Sequence, residues 1–90
     1  MSNGGAKAEA TNRVRALAAF YANVDARQLS PSDLLGEGGY GLSKYHLEAM
    51  AKPLTHISEA YGGTQITIAA AARARTLGDL IKLVTDAIPQ

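Results

Sequence analysis

Gly36-Glu37-Gly38-Gly39-Tyr40-Gly41-Leu42-Ser43 is the stretch whose reading decides the fold. Four glycines in its first six residues can take positive φ at no steric cost, so the segment predicts a mobile, permissive loop. Beyond it, Leu47, Met50, Leu54, Ile57 and Tyr61 recur at steps of three and four, the stripe of a long amphipathic helix. Ser43 therefore stands at a loop-to-helix junction. Serine is a preferred N-cap there, because its hydroxyl satisfies an otherwise orphaned amide of the first turn. The same position leaves the hydroxyl exposed, and the positive end of the helix dipole favours an incoming phosphate. Both uses need one geometry, so position alone does not choose between them.

Pro53 falls inside this stripe. An interior proline costs about 3 kcal/mol and forces a kink or break, which predicts a bend near Ala51-Lys52 or two abutting helices. Gly62-Gly63 closes the segment as a C-cap signal.

Upstream, Val14, Leu17, Ala18, Tyr21 and Val24 make the apolar stripe of a first helix from about Ala8 to Ala22, with Arg13, Arg15 and Asn23 off the stripe. Asn23-Val24-Asp25 ends it. Ser30-Pro31-Ser32-Asp33 offers a helix start, with Ser30 as N-cap, Pro31 at the first helical position and Asp33 in the first turn. The short helical turn it opens runs through Leu34 and Leu35 and stops at Gly36. Met1-Ser2-Asn3-Gly4-Gly5 has no signal-peptide layout. Residues 1–7 are read as a flexible leader or linker, residues 8–88 as a single domain, and the whole as a piece of a longer protein.

Downstream, Thr64-Gln65-Ile66-Thr67-Ile68 alternates like a strand, but a lone strand has no partner, so an extended loop is expected. Ala69 to Arg75 favours a short helix on propensity. Thr76-x-x-Asp79 matches a capping box with Asp in place of Glu, and Leu77, Leu80, Ile81, Val84 and Ile88 supply the buried face of a last helix. The expected fold class is all-α: a small irregular antiparallel bundle of three main helices plus one or two short ones.

Composition narrows the function classes. Ninety residues make one small domain near the lower limit of what a single core stabilises unaided. A net charge of +1, scattered arginines (Arg13, Arg15, Arg27, Arg73, Arg75) and no aromatic stripe among Tyr21, Tyr40, Tyr45 and Tyr61 argue against nucleic acid as a partner. No apolar run approaches the roughly 18 residues of a membrane helix. The absence of cysteine excludes disulfides and thiolate metal sites and points to a reducing cytoplasm.

The loop also spells G-x-G-x-x-G. A dinucleotide fingerprint needs a preceding strand, a βαβ unit and an acidic residue about 20 positions on, none of which this chain provides. A kinase glycine loop would need a valine where Ser43 stands. His46 and His56 lie ten residues apart, on different faces of a straight helix, and read as surface residues with no metal between them. A Ser-His-Asp arrangement can be assembled on paper from Ser43, His46 or His56 and an aspartate. A ninety-residue helical domain offers little concave pocket for one. Glu48 and Lys52 make a helical i, i+4 pair of minor weight.

Over about 75 residues the chain resembles the acyl and peptidyl carrier protein superfamily. The residues that carry the resemblance are Val24-Asp25, Leu29-Ser30-Pro31, the Gly36–Gly41 loop, Ser43, and Thr76-Leu77-Gly78-Asp79-Leu80-Ile81, which is similar to the family's T-V-G-D-L-V run. In that family the first helix ends near a Val-Asp or Ile-Asp, a Ser/Thr-Pro turn follows, and the phosphopantetheine serine opens the second helix. The ungapped register from Val24-Asp25 lands on Ser43 as that serine.

Slid by one residue, Gly41-Leu42-Ser43-Lys44 instead matches a polyketide-type G-L-D-S pattern, with Lys44 in the modified position and no arm. Around the serine, Leu42 precedes and Lys44 follows where the family has Asp (or His) and an apolar residue. The second helix carries Lys44, His46, Lys52 and His56 where acidic residues usually stand.

The resemblance implies a non-catalytic carrier domain, monomeric when isolated, with 4′-phosphopantetheine from coenzyme A on Ser43. It also implies shuttling of thioester-bound intermediates in polyketide or hybrid biosynthesis. The implied partners are a phosphopantetheinyl transferase and the catalytic domains of a synthase. Leu42, Lys44, Tyr45, Leu47 and Met50 would be partner-facing, although Leu47 and Met50 also read as core. The alternative is a degenerate, unmodified module that docks synthase subunits.

Overall fold

The computed structural model describes residues 3–89, so Met1, Ser2 and Gln90 lie outside the described residues. Four α-helices follow one another: α1 Asn3–Ala22, α2 Lys44–Ala60, α3 Ile68–Arg73 and α4 Leu77–Ala87, with a 3-10 turn at Ala26–Gln28 between α1 and α2. The described residues form no strand. Thr64 to Thr67 have no regular structure, with Thr67 in extended backbone, while Ile68, expected in the same loop, opens α3; one isolated antiparallel bridge joins Leu34 to Thr76. The architecture is a small all-α helical bundle in which α1 packs on α4 and α2 packs on α3.

α1 begins at Asn3 instead of near Ala8, so residues 3–7 are helical. Ala6, Lys7, Ala8, Glu9 and Ala10 are strong helix formers and extend the helix through the weaker glycines before them. Its end falls where expected. Asn23 takes φ +59, a left-handed conformation that asparagine tolerates, and the Val24 amide turns back onto Ala19 O at 3.1 Å. Val24, expected on the buried stripe, is exposed because it lies beyond that turn. Arg15, expected at the surface, is half-buried. Its guanidinium donates to Leu29 O at 2.8 Å and Ala26 O at 3.3 Å, tying α1 to the connection that leads to α2.

Two expectations fail for a common reason: tertiary bonds override local signals. Ser30-Pro31-Ser32-Asp33 makes a turn and no helix. Its backbone acceptors are taken by the start of α4: Pro31 O accepts from Gly78 N at 2.8 Å and Asp33 O from Leu77 N at 3.0 Å, while Leu35 N donates to Arg75 O at 2.9 Å. α2 runs unbroken through Pro53 for 17 residues. Met50, Ala51, Leu54 and Ser58, on both sides of the proline, are all buried, so one continuous face is seated on the core and outweighs the lost hydrogen bond.

Leu35, Met50, Leu54, Leu77, Leu80, Val14 and Val84 are the large apolar side chains with no exposure, drawn from every long helix and from the loop. Each contributes about 1.5–3 kcal/mol of transfer free energy. Leu35 matters most for the site. It anchors the connection between α1 and α2 in the core, one turn of loop ahead of Ser43.

Candidate functional site

The glycine loop is laced by backbone bonds, which replaces the free loop expected from its composition. Gly39 N and Gly41 N both donate to Gly36 O at 3.0 Å, Tyr40 N to Leu34 O at 3.0 Å and Leu42 N to Leu35 O at 2.8 Å. Gly38 and Gly41 take φ +86 and +73, the conformation that requires glycine. Gly39 has no room for a Cβ, which would overlap the Leu34 backbone.

Tyr40 reinforces the loop from its side chain. Its hydroxyl donates to Asp33 Oδ2 at 2.5 Å, and the same oxygen accepts Ser30 N at 2.8 Å. Burial, then the hydrogen bond to Asp33 and that carboxylate's charge, push the Tyr40 phenol up to about 12. The Tyr40 hydroxyl, then the Ser30 amide, hold Asp33 below the ordinary carboxylate value.

This frame delivers Ser43 to the start of α2. Ser43 has extended backbone (φ −82, ψ 168) and is the N-cap. Its Oγ accepts the His46 amide at 3.2 Å, and its own amide donates to His46 Nδ1 at 2.9 Å, closing a capping box in which histidine fills the place usual for Glu or Gln. Ser43 Oγ and His46 Nδ1 are also 3.0 Å apart. A backbone amide can only donate, so Nδ1 is the acceptor in this bond, and the tautomer that makes it carries its proton on Nε2. The Tyr21 ring of α1 meets the imidazole edge-on at 6.5 Å, and Phe20 meets Tyr21 the same way at 5.9 Å.

The five residues expected to face a partner separate into two groups. Lys44 and Tyr45 are exposed, Tyr45 to 79 %. Leu42, Leu47 and Met50 are not partner-facing, because their side chains point into the core cluster. The reason is helical geometry: Leu47 and Met50 share one face of α2 with Leu54, and that face is the buried one.

His46 was expected at the surface. It is exposed, but it is also wired to Ser43, a role that sequence reasoning missed. The signal available was the Ser-x-x-His spacing, which is the spacing of a capping box. His56 stays apart, about 15 Å further along the α2 axis at 1.5 Å per residue. No carboxylate hydrogen-bonds His46 among the described residues, so a Ser-His-Asp triad is not assembled. Nor do the described residues gather three or more His, Cys, Asp or Glu as a metal site.

Two hollows lie near α3 and α4. One of about 400 Å³ runs between them, lined by Ala70, Arg73, Ala74, Lys82, Leu83 and Asp86 among others, and does not include Ser43. Another of about 270 Å³ lies between the glycine loop and the α3–α4 junction, with Leu34, Glu37, Leu47 and Arg75 on its walls. The start of α4 that borders them carries the expected capping box. Thr76 Oγ1 accepts Asp79 N at 3.2 Å and Asp79 Oδ2 accepts Thr76 N at 3.1 Å. No helix among the described residues is long and apolar enough to cross a membrane.

Chemically, the site offers an exposed hydroxyl, a neutral imidazole nitrogen beside it and the unpaired amides of a helix start. No family model, no curated protein and no solved structure matches the chain significantly.

Proposed function

We propose that this chain is an acyl carrier domain that bears 4′-phosphopantetheine on Ser43 and shuttles thioester-bound intermediates in polyketide or hybrid biosynthesis. The observation that carries the reading is the exposure of Ser43 at the start of α2, between the buried side chains of Leu42 and Leu47. A phosphodiester on Oγ fits the surroundings. The Lys44 and Tyr45 amides at the first two helical positions have no partner within the helix, and the exposed Lys44 side chain adds a cation. The order of elements agrees with the order of the motifs: a long helix, a laced loop, the serine at the head of a second long helix, a short helix, and a closing helix that starts at Thr76-Leu77-Gly78-Asp79.

When bound, the arm supplies a thiol that holds the substrate as a thioester. The chain's own contribution is tethering, which raises effective concentration at the active sites that receive the cargo. On this reading the partners are a phosphopantetheinyl transferase and synthase catalytic domains, met through Lys44 and Tyr45, and the domain acts as a non-catalytic cytoplasmic monomer.

One observation favours a second reading, the unmodified docking module. The Ser43 hydroxyl already has a structural task in the capping box. Intact mass separates the two readings, after incubation with coenzyme A and a broad-specificity phosphopantetheinyl transferase. A gain of one phosphopantetheine that is lost in Ser43→Ala supports the carrier and the ungapped register. No gain, while a control carrier is loaded, removes the carrier reading and leaves the docking module.

A further inference from the structure

We propose that His46 is the general base for loading Ser43, so that the chain supplies its own proton acceptor for the reaction. The inference rests on the carrier reading above and goes beyond it by assigning the hydroxyl proton to a named atom.

Three features of the pair carry it. Nδ1 is the unprotonated ring nitrogen, because Ser43 N–H donates to it, and it lies 3.0 Å from Oγ, within the reach a general base requires. The His46 amide donates to the same Oγ at 3.2 Å, so charge growing on that oxygen meets an N–H already aimed at it, at the positive end of α2. The ring is held on one side by the box and stands perpendicular to the Tyr21 ring on another, yet it is exposed and can pass its proton to water.

A cap alone does not require histidine. Glu or Gln at this position closes the box equally well. Histidine adds a ring nitrogen that can take a full proton, which the amide of Gln cannot.

The step balances as follows. Ser43 Oγ attacks the pyrophosphate phosphorus that bears the pantetheine in coenzyme A, and the Oγ–P bond forms. The bond from that phosphorus to the bridging oxygen breaks, and 3′,5′-ADP leaves with the electron pair. The hydroxyl proton moves to His46 Nδ1, whose single lone pair releases the Ser43 amide to take it. The imidazolium can no longer accept the Ser43 amide, and it returns to the neutral ring by losing a proton to solvent.

The test compares wild type, His46→Gln and His46→Glu with coenzyme A and the same transferase, following loading rates by intact mass over a range of carrier concentrations. Gln can close the box but cannot take a proton; Glu can do both. Loading of His46→Gln is expected to lose about 10²-fold in kcat with KM little changed, and His46→Glu to recover most of that loss. Long-range proton–nitrogen NMR on the unmodified chain is expected to show Nδ1 of His46 as the unprotonated nitrogen of the neutral ring.

Wild-type kcat in His46→Gln, a loss confined to KM, no recovery in His46→Glu, or a protonated Nδ1 in the neutral ring each overturns the assignment while leaving the carrier reading intact. Wild type that is never loaded, beside a control that is, removes the carrier reading and the base together.

Discussion

The α-carbon of Gly63 rests against the hydroxyl of Ser58, so closely that a Cβ on Gly63 would overlap Ser58 Oγ. Ser58 is a fully buried polar side chain, and it donates that hydroxyl to Thr64 O at 2.8 Å. Gly63 N returns to Ser58 O at 2.8 Å and Gly62 N to Glu59 O at 3.1 Å, a Schellman closure of α2 with Gly62 at φ +82.

Gly63→Ala therefore has nowhere to put its methyl group. Ala87 O would lie 2.8 Å from it and Ser58 O 3.0 Å, both backbone atoms that cannot step aside. The expected cost is about 1–3 kcal/mol, typical of overpacking. At about 4–8 °C per kcal/mol for a domain of this size, thermal unfolding followed by circular dichroism should show it clearly. An unchanged Tm would mean that α2 does not end on this contact.

Asp79 gives the domain an acid limit. Its carboxylate accepts Arg75 N at 2.9 Å and Thr76 N at 3.1 Å, and these two amides, the Arg75 one first, hold it below the ordinary value of 3.8. A depressed folded-state value stabilises the fold at pH above the unfolded value, and that contribution is lost as the pH falls through the folded one. Denaturant midpoints of wild type should therefore drop on acidification below about pH 4. Asp79→Asn should be weaker near neutrality and lose less over the same range, whereas equal acid slopes in the two proteins would contradict the assignment. Thr76→Ala removes the other half of the box and should cost about 1 kcal/mol.

How much of this was legible in advance depends on how local the physics is. The caps were legible: Ser43, Thr76 with Asp79, and Gly62-Gly63 each act within four or five residues, and each is found where the residues put it. The continuity of α2 through Pro53 was not, because burial of Met50 and Leu54 against other helices decides it. Nor was the turn at Ser30–Asp33, whose backbone groups are claimed by Leu77 and Gly78 more than forty residues away. Gly78 in the Thr-Leu-Gly-Asp run has its reason there: a Cβ would stand 3.0 Å from Pro31 O. At the site, the exposed hydroxyl of Ser43 could be read from the junction. The imidazole beside it could not, because the N3 place of a capping box usually holds Glu or Gln.

Tyr40 sets a limit at the other end of the pH scale. Burial raises its phenol to about 12, with the hydrogen bond to Asp33 and that carboxylate's charge adding to the effect. A raised folded-state value means the stabilisation is complete below the unfolded value of about 10 and is lost as the pH climbs through about 12. Ultraviolet titration of the folded chain should show one phenol ionising near 12, and Tyr40→Phe should remove that late step. A wild-type curve without a late phenol would contradict the Tyr40–Asp33 bond as the brace of the glycine loop.

The split of the α2 face into Tyr45 outside and Met50 inside yields a last pair of variants. Met50 has no exposure and sits among Leu54, Leu80 and the rest of the core, so Met50→Ala should leave a cavity and cost about 2–5 kcal/mol. In a small domain that is a large part of the total stability. Tyr45 is 79 % exposed, and Tyr45→Ala should change stability by no more than about 0.5 kcal/mol. If the face beside Ser43 meets a transferase through Lys44 and Tyr45, Tyr45→Ala should raise the KM of loading while the fold stays intact. Loading lost through Met50→Ala should instead follow the unfolded fraction and return at lower temperature. A Tyr45→Ala variant with wild-type KM would move the contact surface away from the first turn of α2.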